Sequence, residues 1–314
     1  MLKTFPAGGG APIWLDLVSP GPDELKQAEA IVGAPLPSRE ALSEIESSSR
    51  VRARGDVLLM STPSAAPPVG GEVPGAPIGF ILSRDRLATV RYSPLKGFDA
   101  VWQRLERGEA TVGGGLDVFV ELCEEIVDRL ADALELLAQE LRPLSEAAFH
   151  TDDTRGAKAI RSNQLLRTQL RSIGKTGDRL SIIRDALAGL DRVVAYAALQ
   201  TEAWPNATPL QTRLESVKRD IASLSDYDAQ LFNKIQFLLD ATVGLIGIAQ
   251  NDIFKVLTIV SIVGIPPTLV ASMYGMNFKT MPEYDWAFGY PYGLAMIALS
   301  AAIPVIWFKV KGWF

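Results

Sequence analysis

The sequence has few of the residues that most often carry chemistry. Its 314 residues include one cysteine, Cys123, and one histidine, His150. A single cysteine excludes an internal disulfide, and a single histidine excludes a histidine-rich metal cluster and weakens most acid–base enzyme hypotheses. The net charge is −5, so the composition does not support a nucleic-acid partner. Cys123 falls on the apolar side of a helical pattern and is expected to be buried, whereas His150 is expected in a polar surface turn.

Charge is absent from two long stretches near the C-terminus. Residues 256–276 and 290–308 contain no charged side chain, whereas the N-terminus has neither a continuous apolar run nor a cleavage signal. A helix needs roughly 20 apolar residues to cross the hydrocarbon core, so we expect two membrane spans; the alternative is two buried helices of a soluble core. Lys255 precedes the first run, and Lys309 and Lys311 follow the second. Because cationic flanks stay in the cytoplasm, both termini are expected on the cytoplasmic side of the plasma (inner) membrane.

The first 115 residues mix strand-like runs with turns. The runs PIWLDLV, DVLLMST, IGFILSR and RLATVRY are rich in residues that favour strands, and a proline- and glycine-rich loop at 63–77 interrupts them. Helical segments are expected around 22–32 and 38–49. The pattern predicts a small α/β domain, and it contains no glycine-rich phosphate loop between a strand and a helix.

The next region is predicted to be helical. Apolar residues recur at three- and four-residue steps from Leu116 to Leu141, opposite an acidic face that is either a solvated surface or one that attracts cations. A second helical pattern covers 156–200, and residues 201–209 form a break. A heptad repeat then runs from Leu210 to Leu245, which indicates helix–helix packing. Because no proline occurs between Pro209 and Pro266, one helix is expected from about 210 to about 274.

Polar side chains form a stripe on one face of the first predicted span, and an apolar residue fills the gap in it. One interpretation is that the hydroxyls bond back to the carbonyl four residues earlier or pack against a neighbouring helix. The other is that the stripe lines a water-filled path, which requires an oligomer because one or two spans cannot enclose a pore. Pro266 and Pro267 remove backbone donors inside the span and favour the second interpretation. The residues of the stripe are Asn251, Thr258, Ser261, Ile265, Thr268 and Ser272.

The outer end of this span carries a neutral amide. Gly275 is expected to permit close approach or a positive φ where the helix stops. Asn277 follows, and a ring of such carboxamides would accept hydrogen bonds from the waters of a hydrated cation without holding the ion too tightly to leave. Glu283 and Asp285 in the loop would raise the local cation concentration.

The motif YGMNF…MPE…W…GYP between two C-terminal spans resembles the CorA family of magnesium transporters, whose signature is Gly275-Met276-Asn277 in this sequence. The likeness extends back through FLLDATVGLIGIAQN and is fainter at IWLDLVSP and REALSEIESSSR. It implies an α+β membrane protein with an N-terminal cytoplasmic α/β domain, a long helical stalk and two C-terminal transmembrane helices, assembled as a homopentamer. The predicted divisions are 1–115 (α/β domain), 116–250 (helical region), and 251–314 (membrane region, with spans at about 254–276 and 290–309 and an outer loop at 277–289).

The resemblance also implies roles for individual residues. It carries pore-lining roles onto Asn251, Thr258, Ile265 and Thr268, and a hydrophobic constriction onto Phe254 and Leu257. Cytoplasmic Mg²⁺ would close the pore by binding acidic residues, and the candidates are Asp220, Asp226 and Asp228. The alternative for each of the three is an ordinary solvated charge.

The expected function is passive inward transport of hydrated Mg²⁺, with Co²⁺ and Ni²⁺ as further cargoes. Mg²⁺ would be both substrate and regulator, no cofactor is expected, and the partners would be copies of the chain itself, the lipid bilayer and divalent cations. Three alternatives stay open: a zinc-transporting member of the same superfamily, a membrane-anchored enzyme with its catalytic part in 1–115, and a scaffold built on a coiled stalk.

Overall fold

The computed structural model divides the chain into two compact units. One comprises Met1–Leu144 and Ile173–Phe237, and the other comprises Ser145–Ser172 and Leu238–Phe314. His150, predicted in a polar turn, lies outside the described residues. Those residues are 1–6, 11–44, 46, 50–65, 75–149, 157–205, 207–277 and 281–313.

A six-stranded mixed sheet forms the centre of the N-terminal region. Its spatial order is β1-β2-β6-β5-β4-β3, and every neighbouring pair is antiparallel except β2 with β6. All four predicted strands are confirmed. The outer strands β1 and β3 were missed because they are short and no residue in either is fully buried, so they lack the long apolar run of a central strand. The strands are β1 Leu2–Phe5, β2 Trp14–Val18, β3 Val51–Arg54, β4 Val57–Pro63, β5 Pro77–Leu82 and β6 Leu87–Arg91.

Helices accompany the sheet in the part of the chain that the structure describes. The first, α1 (Pro22–Val32), matches the prediction. The second, α2, covers Arg39–Leu42, and Ser43 and Glu44 are not helical, so the helix expected around 38–49 is not continuous; residues 45 and 47–49 lie outside the described residues. Ser43 ends α2 because its N–H and its Oγ both donate to the Arg39 carbonyl, and serine favours such local bonds over helix continuation. The third helix, α3 (Lys96–Glu106), was not predicted. It buries Gly97, Phe98, Val101 and Leu105.

The two faces of the sheet have different cores. Aliphatic residues such as Leu17, Leu59 and Ile81 pack under α1 and α2 on one face. The other face is aromatic: the Phe80 ring lies 6.4 Å from Phe98 and 5.5 Å from Phe119. Both faces therefore bury large apolar areas, which fixes the register of the strands.

The aromatic face also contains a buried ion pair. Arg91 on β6 donates to both carboxylate oxygens of Asp16 on β2, at 3.2 and 2.8 Å. Thr89 donates to the same carboxylate at 2.9 Å and accepts a hydrogen bond from the Trp14 indole. The network bridges the one parallel strand pair, and each charged group has several partners, as burial requires.

Long helices follow, as the repeats predict. They are α4 (Gly115–Phe149), α5 (Ala157–Thr201) and α6 (Thr208–Tyr274). The apolar stripe of α4 is buried, including Cys123, and burial raises the pKa of the Cys123 thiol. The break predicted at 201–209 and the single helix predicted from about 210 to about 274 are both confirmed, and α6 continues through its two prolines.

The heptad seam of α6 is a buried face. Eight seam positions are nearly or fully inaccessible, and two of them are polar. Each polar residue has a partner: Thr242 donates to the Leu238 carbonyl, and Asp228 accepts from Arg184 on α5. The buried seam residues that agree with the prediction are Leu214, Val217, Ile221, Asp228, Leu231, Ile235, Leu238 and Thr242.

Part of the acidic face of α4 forms ion pairs within the chain. Arg213 on α6 donates to Glu121 and Glu124, and Arg104 on α3 donates to Glu125 at 2.7 Å. These pairs join α4 to two other helices. The solvated-face interpretation therefore fails for this part of α4, because its charges are already neutralised at the helix contacts.

A defined motif ends the last helix, α7 (Gly289–Val310). Gly312 adopts a φ of 71° and donates to the Lys309 carbonyl, and Trp313 donates to the Phe308 carbonyl at 3.0 Å. This is the Schellman arrangement, which satisfies carbonyls that the helix end leaves free. The ring centroids of Phe308 and Trp313 lie 5.2 Å apart, so these two aromatic side chains pack against each other at the end of the helix.

Candidate functional site

The predicted polar stripe lies on an uncovered part of α6. None of the most apolar 18-residue stretch of α6 is buried within the chain, and only 6% of the corresponding stretch of α7 is. Two core helices of a soluble protein would be mostly covered, so that alternative is wrong. Within the stripe, Ser261 is half-buried and the remaining predicted positions are exposed: Asn251, Thr258, Ile265, Thr268 and Ser272.

Two threonines of the stripe donate their hydroxyl protons to carbonyl groups of α6 itself. The Thr258 hydroxyl donates to the Phe254 carbonyl at 2.7 Å, and the Thr268 hydroxyl donates to the Gly264 carbonyl at 2.8 Å. This is the back-bonding that the first interpretation of the stripe predicts. It also leaves each oxygen with lone pairs but no free proton. Because the waters around a cation point their hydrogens outward, such oxygens are suited to accept from a hydrated ion, and the two interpretations are compatible.

The predicted constriction residues share the face of the stripe. Phe254 and Leu257 are 64% and 59% exposed. Phe254 lies three residues after Asn251, and Leu257 lies six residues after it. Thr258 and Ser261 come seven and ten residues after Asn251. Residues at these spacings project from the same side of a helix. The structure thus places the apolar pair at the end of the stripe away from Asn277.

The outer end of α6 closes in a tight turn. Gly275 donates to the Ala271 carbonyl at 3.0 Å and Met276 donates to the Met273 carbonyl at 3.4 Å. Gly275 does not have a positive φ, so that part of the expectation is wrong. A Cβ there would lie 3.4 Å from the Ala271 carbonyl oxygen, which is an ordinary van der Waals distance, so close approach at Gly275 stays a prediction. Met276 and Asn277 follow this turn and are exposed.

The outer loop contains a short 3₁₀ helix, Pro282–Asp285. It carries both predicted loop acids, of which Glu283 is half-buried and Asp285 is exposed. A Cβ on Gly289 would overlap the Glu283 carbonyl oxygen, so only glycine permits this packing of the loop against the start of α7. The sequence reasoning missed Gly289, although it stands in the quoted GYP motif.

The three candidate regulatory acids do not form one group. Asp220 and Asp226 are exposed, whereas Asp228 is 3% exposed and its Oδ2 lies 2.6 Å from the Nε of Arg184. Arg184 also lies over the Phe232 ring at 4.4 Å. Within the described ranges of a single chain, no three acidic, histidine or cysteine side chains come together as a metal site.

Comparisons with known proteins agree with this architecture. The family model described as CorA-like Mg²⁺ transporter protein matches residues 9–309. The magnesium transport protein CorA of Escherichia coli (strain K12) is 32% identical over 302 residues, which is 96% of this chain and 92% of the relative.

Solved structures share the fold. The complete CorA magnesium transporter from Methanocaldococcus jannaschii superposes with a TM-score of 0.73 at 20% identity, over 96% of this chain and 91% of that one. The full-length CmaX protein superposes with a TM-score of 0.66 at 18% identity, over 96% and 88%. The predicted fold class, an N-terminal α/β domain followed by a long helix and two apolar C-terminal helices, is thereby confirmed. From the family-model match and the 32% identity, the chain belongs to the CorA-like Mg²⁺ transporter family.

Proposed function

We propose that the chain forms a homopentameric, channel-like transporter that conducts hydrated Mg²⁺ into the cytoplasm down its electrochemical gradient. The observation that carries the proposal is the uncovered stripe of α6, where Thr258 and Thr268 present acceptor oxygens beside uncovered apolar surface. One chain has two spans and cannot enclose water, so several copies must surround an axis. The E. coli relative is a magnesium transport protein, which supports Mg²⁺ as the cargo.

Selectivity in this proposal rests on Gly275, Met276 and Asn277. Mg²⁺ loses its waters reluctantly, and a ring of exposed Asn277 amides would accept hydrogen bonds from the intact hydration shell. Binding of this kind stays weak enough for the ion to move on. Glu283 and Asp285 would concentrate cations at the entrance. Co²⁺ and Ni²⁺, which present comparable hydrated ions, are proposed as further cargoes.

The cytoplasmic end of the stripe would contain the gate. Rings of Phe254 and Leu257 from several copies would form an apolar constriction that excludes water when it narrows. The acids Asp220 and Asp226 are exposed on α6. Their negative charges would repel those of neighbouring copies until Mg²⁺ binds between the copies and bridges them. Asp228 is a weaker candidate because Arg184 already pairs with it.

The orientation follows from charge and from the direction of transport. We place residues 1–115 and 116–250 and both termini in the cytoplasm, and residues 251–314 in the plasma (inner) membrane. A dication that enters a cell with an inside-negative potential gains roughly twice 2.3 kcal/mol per 100 mV. Conduction therefore needs neither a cofactor nor a chemical step.

The test is metal uptake into liposomes that contain the purified protein. Asn277→Ala is expected to abolish Mg²⁺ uptake while sizing in detergent shows an unchanged oligomer, because the exposed amide supports no packing. Asn233→Ala removes the same group from an exposed position of α6 outside the spans and should leave uptake unchanged. Wild-type uptake by Asn277→Ala would contradict the selectivity proposal, and a monomer in detergent would contradict the pore. Parallel uptake of Zn²⁺ separates the magnesium proposal from the zinc alternative.

A further inference from the structure

The beginning of α5 has a charge opposite to that of the whole chain. Residues 157–177 contain five basic residues and no acidic residue, although the chain has a net charge of −5. A basic amphipathic helix is typical of segments that lie against a membrane surface. The five basic residues are Lys158, Arg161, Arg167, Arg171 and Lys175.

Three of these residues form one exposed face of the helix. Arg167, Arg171 and Lys175 follow one another at four-residue steps, so they project from the same side, and all three are exposed. Leu166 and Ile173 belong to a different face, where they are 4% and 0% exposed and pack within the chain. We call Arg167, Arg171 and Lys175 the basic face of α5.

Two contacts fix how α5 lies along α6. Arg184 on α5 pairs with Asp228 on α6, and a Cβ on Gly177 would lie 3.7 Å from the Ile235 side chain. The two positions on α5 are seven residues apart, and so are the two on α6, in the opposite direction. The helices are therefore antiparallel and keep one register. Both continue into the second compact unit, which contains Ser145–Ser172 together with Leu238–Phe314.

This register places the basic face near the start of the first apolar span. Arg167 lies ten residues before Gly177, so it is level with residue 245 of α6. The charge-free run of α6 begins at Val256, which is about 16 Å further along a helix that rises 1.5 Å per residue. Arg171 is one turn further away, at about 22 Å. Because Cα–Cβ bonds tilt toward the N-terminus of a helix, both arginine side chains start in the direction of the span.

A bilayer around the span would bring its headgroups close to these arginines. The headgroup region adds about 5–8 Å on each side of the hydrocarbon core. The backbone of Arg167 would then lie about 10 Å from the headgroups, which is close to the Debye length at physiological ionic strength. Residues 241–251 of α6, at the same level, contain no charged residue. In the described part of the chain, the ion pairs of α5 begin at Arg179, which pairs with Glu140.

We propose that Arg167 and Arg171 bind the anionic headgroups of phospholipids in the adjacent leaflet. Guanidinium groups form paired, charge-assisted hydrogen bonds with phosphate oxygens, and an anionic leaflet attracts basic residues that lie just outside a span. This contact would hold the beginning of α5 at the bilayer surface. The inference rests on the membrane placement in the proposed function, and it is independent of ion conduction.

Energy transfer from a dye beside the basic face to labelled lipid tests the proposal. Leu165 is 66% exposed and the native Cys123 is fully buried, so Leu165→Cys provides one accessible thiol for the donor dye. The full chain is reconstituted into phosphatidylcholine vesicles that contain a trace of either phosphatidylglycerol or phosphatidylcholine with an acceptor on its acyl chain. Transfer to phosphatidylglycerol should be about twofold greater, because the anionic lipid gathers near the arginines. Salt at about 1 M should remove the excess, because the Debye length falls to about 3 Å.

Paired variants locate the effect. Arg167→Gln combined with Arg171→Gln should remove most of the excess transfer to phosphatidylglycerol. Arg52→Gln combined with Arg54→Gln removes the same charge from two exposed positions of β3 and should leave the excess unchanged. Lys175→Gln should have a smaller effect than Arg171→Gln, because Lys175 lies one turn further from the span.

Four results would overturn the proposal. They are equal transfer to the two lipids by the wild type, an unchanged excess in the Arg167 and Arg171 double variant, a changed oligomer size of that variant in detergent, and loss of the excess when inorganic phosphate is added at matched ionic strength. The second would assign the excess to other cationic residues such as Lys309 and Lys311, the third would indicate a contact between copies, and the fourth would indicate a site for free phosphate. Resistance of the wild type to alkaline extraction from the vesicles reports membrane insertion separately, so failure of the membrane placement is distinguishable.

Discussion

Removal of the buried Asp16 carboxylate should strongly destabilise the α/β domain. Asp16 and Arg91 are each 2% exposed, and Arg91 donates to both Asp16 oxygens. In Asp16→Ala, the Arg91 guanidinium stays buried and keeps only Asp99 as a carboxylate partner, at 3.2 Å and 47% exposed. Truncation of one member of a buried pair typically costs 3–5 kcal/mol, because the other charge is left without compensation. Loss of the acceptor for Thr89 adds a smaller cost.

The same geometry gives the control variants. Asp99→Ala removes the half-exposed partner, which solvent screens, and should cost about 0–1 kcal/mol. The double variant Asp16→Leu with Arg91→Leu removes both charges and should be much less damaging than Asp16→Ala, because no unpaired charge stays buried. The ordering of the three variants is therefore a sharper test than the size of any one loss.

Thermal unfolding of the full chain in detergent, followed by near-ultraviolet circular dichroism, measures the effect. For a domain of this size, 1 kcal/mol shifts Tm by roughly 2–4 °C, so Asp16→Ala should lower Tm by about 10 °C. Trp14 belongs to the same network through Thr89 and should report the loss of packing. A Tm decrease of Asp16→Ala no larger than that of Asp99→Ala would refute the reasoning that burial makes this pair costly to break.

Two further predictions concern the membrane region. Phe254→Ala or Leu257→Ala should leave a leak of Mg²⁺ that high internal Mg²⁺ no longer stops, measured as liposome current; full closure would count against an apolar constriction. Gly289→Ala should lower Mg²⁺ uptake roughly tenfold by displacing the outer loop, because a Cβ there overlaps the Glu283 carbonyl. Gly293→Ala on α7, where a Cβ meets nothing within 4 Å, is the matched control, and equal uptake by the two variants would contradict the proposed role of the loop.

The prediction of secondary structure succeeded where the signal is periodic and long. The heptad seam of α6 and the two charge-free runs lie in helices with bounds close to the expected ones, and the break after Thr201 separates α5 from α6. It failed where elements are short. The strands β1 and β3 have four residues each and α2 has four, so neither alternation nor helical spacing could develop within them.

The candidate site shows the same division. The stripe, Asn277 and the loop acids lie on one continuous stretch of sequence, so their order along α6 and the loop after it follows from the sequence alone. By contrast, the sequence does not reveal that Arg184 pairs with Asp228, because the two residues are 44 positions apart. Gly289 stands in the quoted motif, but its need for glycine depends on a backbone contact with Glu283 that only folding creates.

By itself, the sequence determined that this chain has one long helix, two charge-free apolar runs and an amide side chain between them, because hydrophobic length and helical period are local properties of a chain. Only the tertiary structure decided which charges are partnered. Asp16 and Arg91 meet across a strand pair, and Arg184 on α5 meets Asp228 on α6. Electrostatic energy depends on distance in space and on access to water, and neither quantity can be read from separation along the chain.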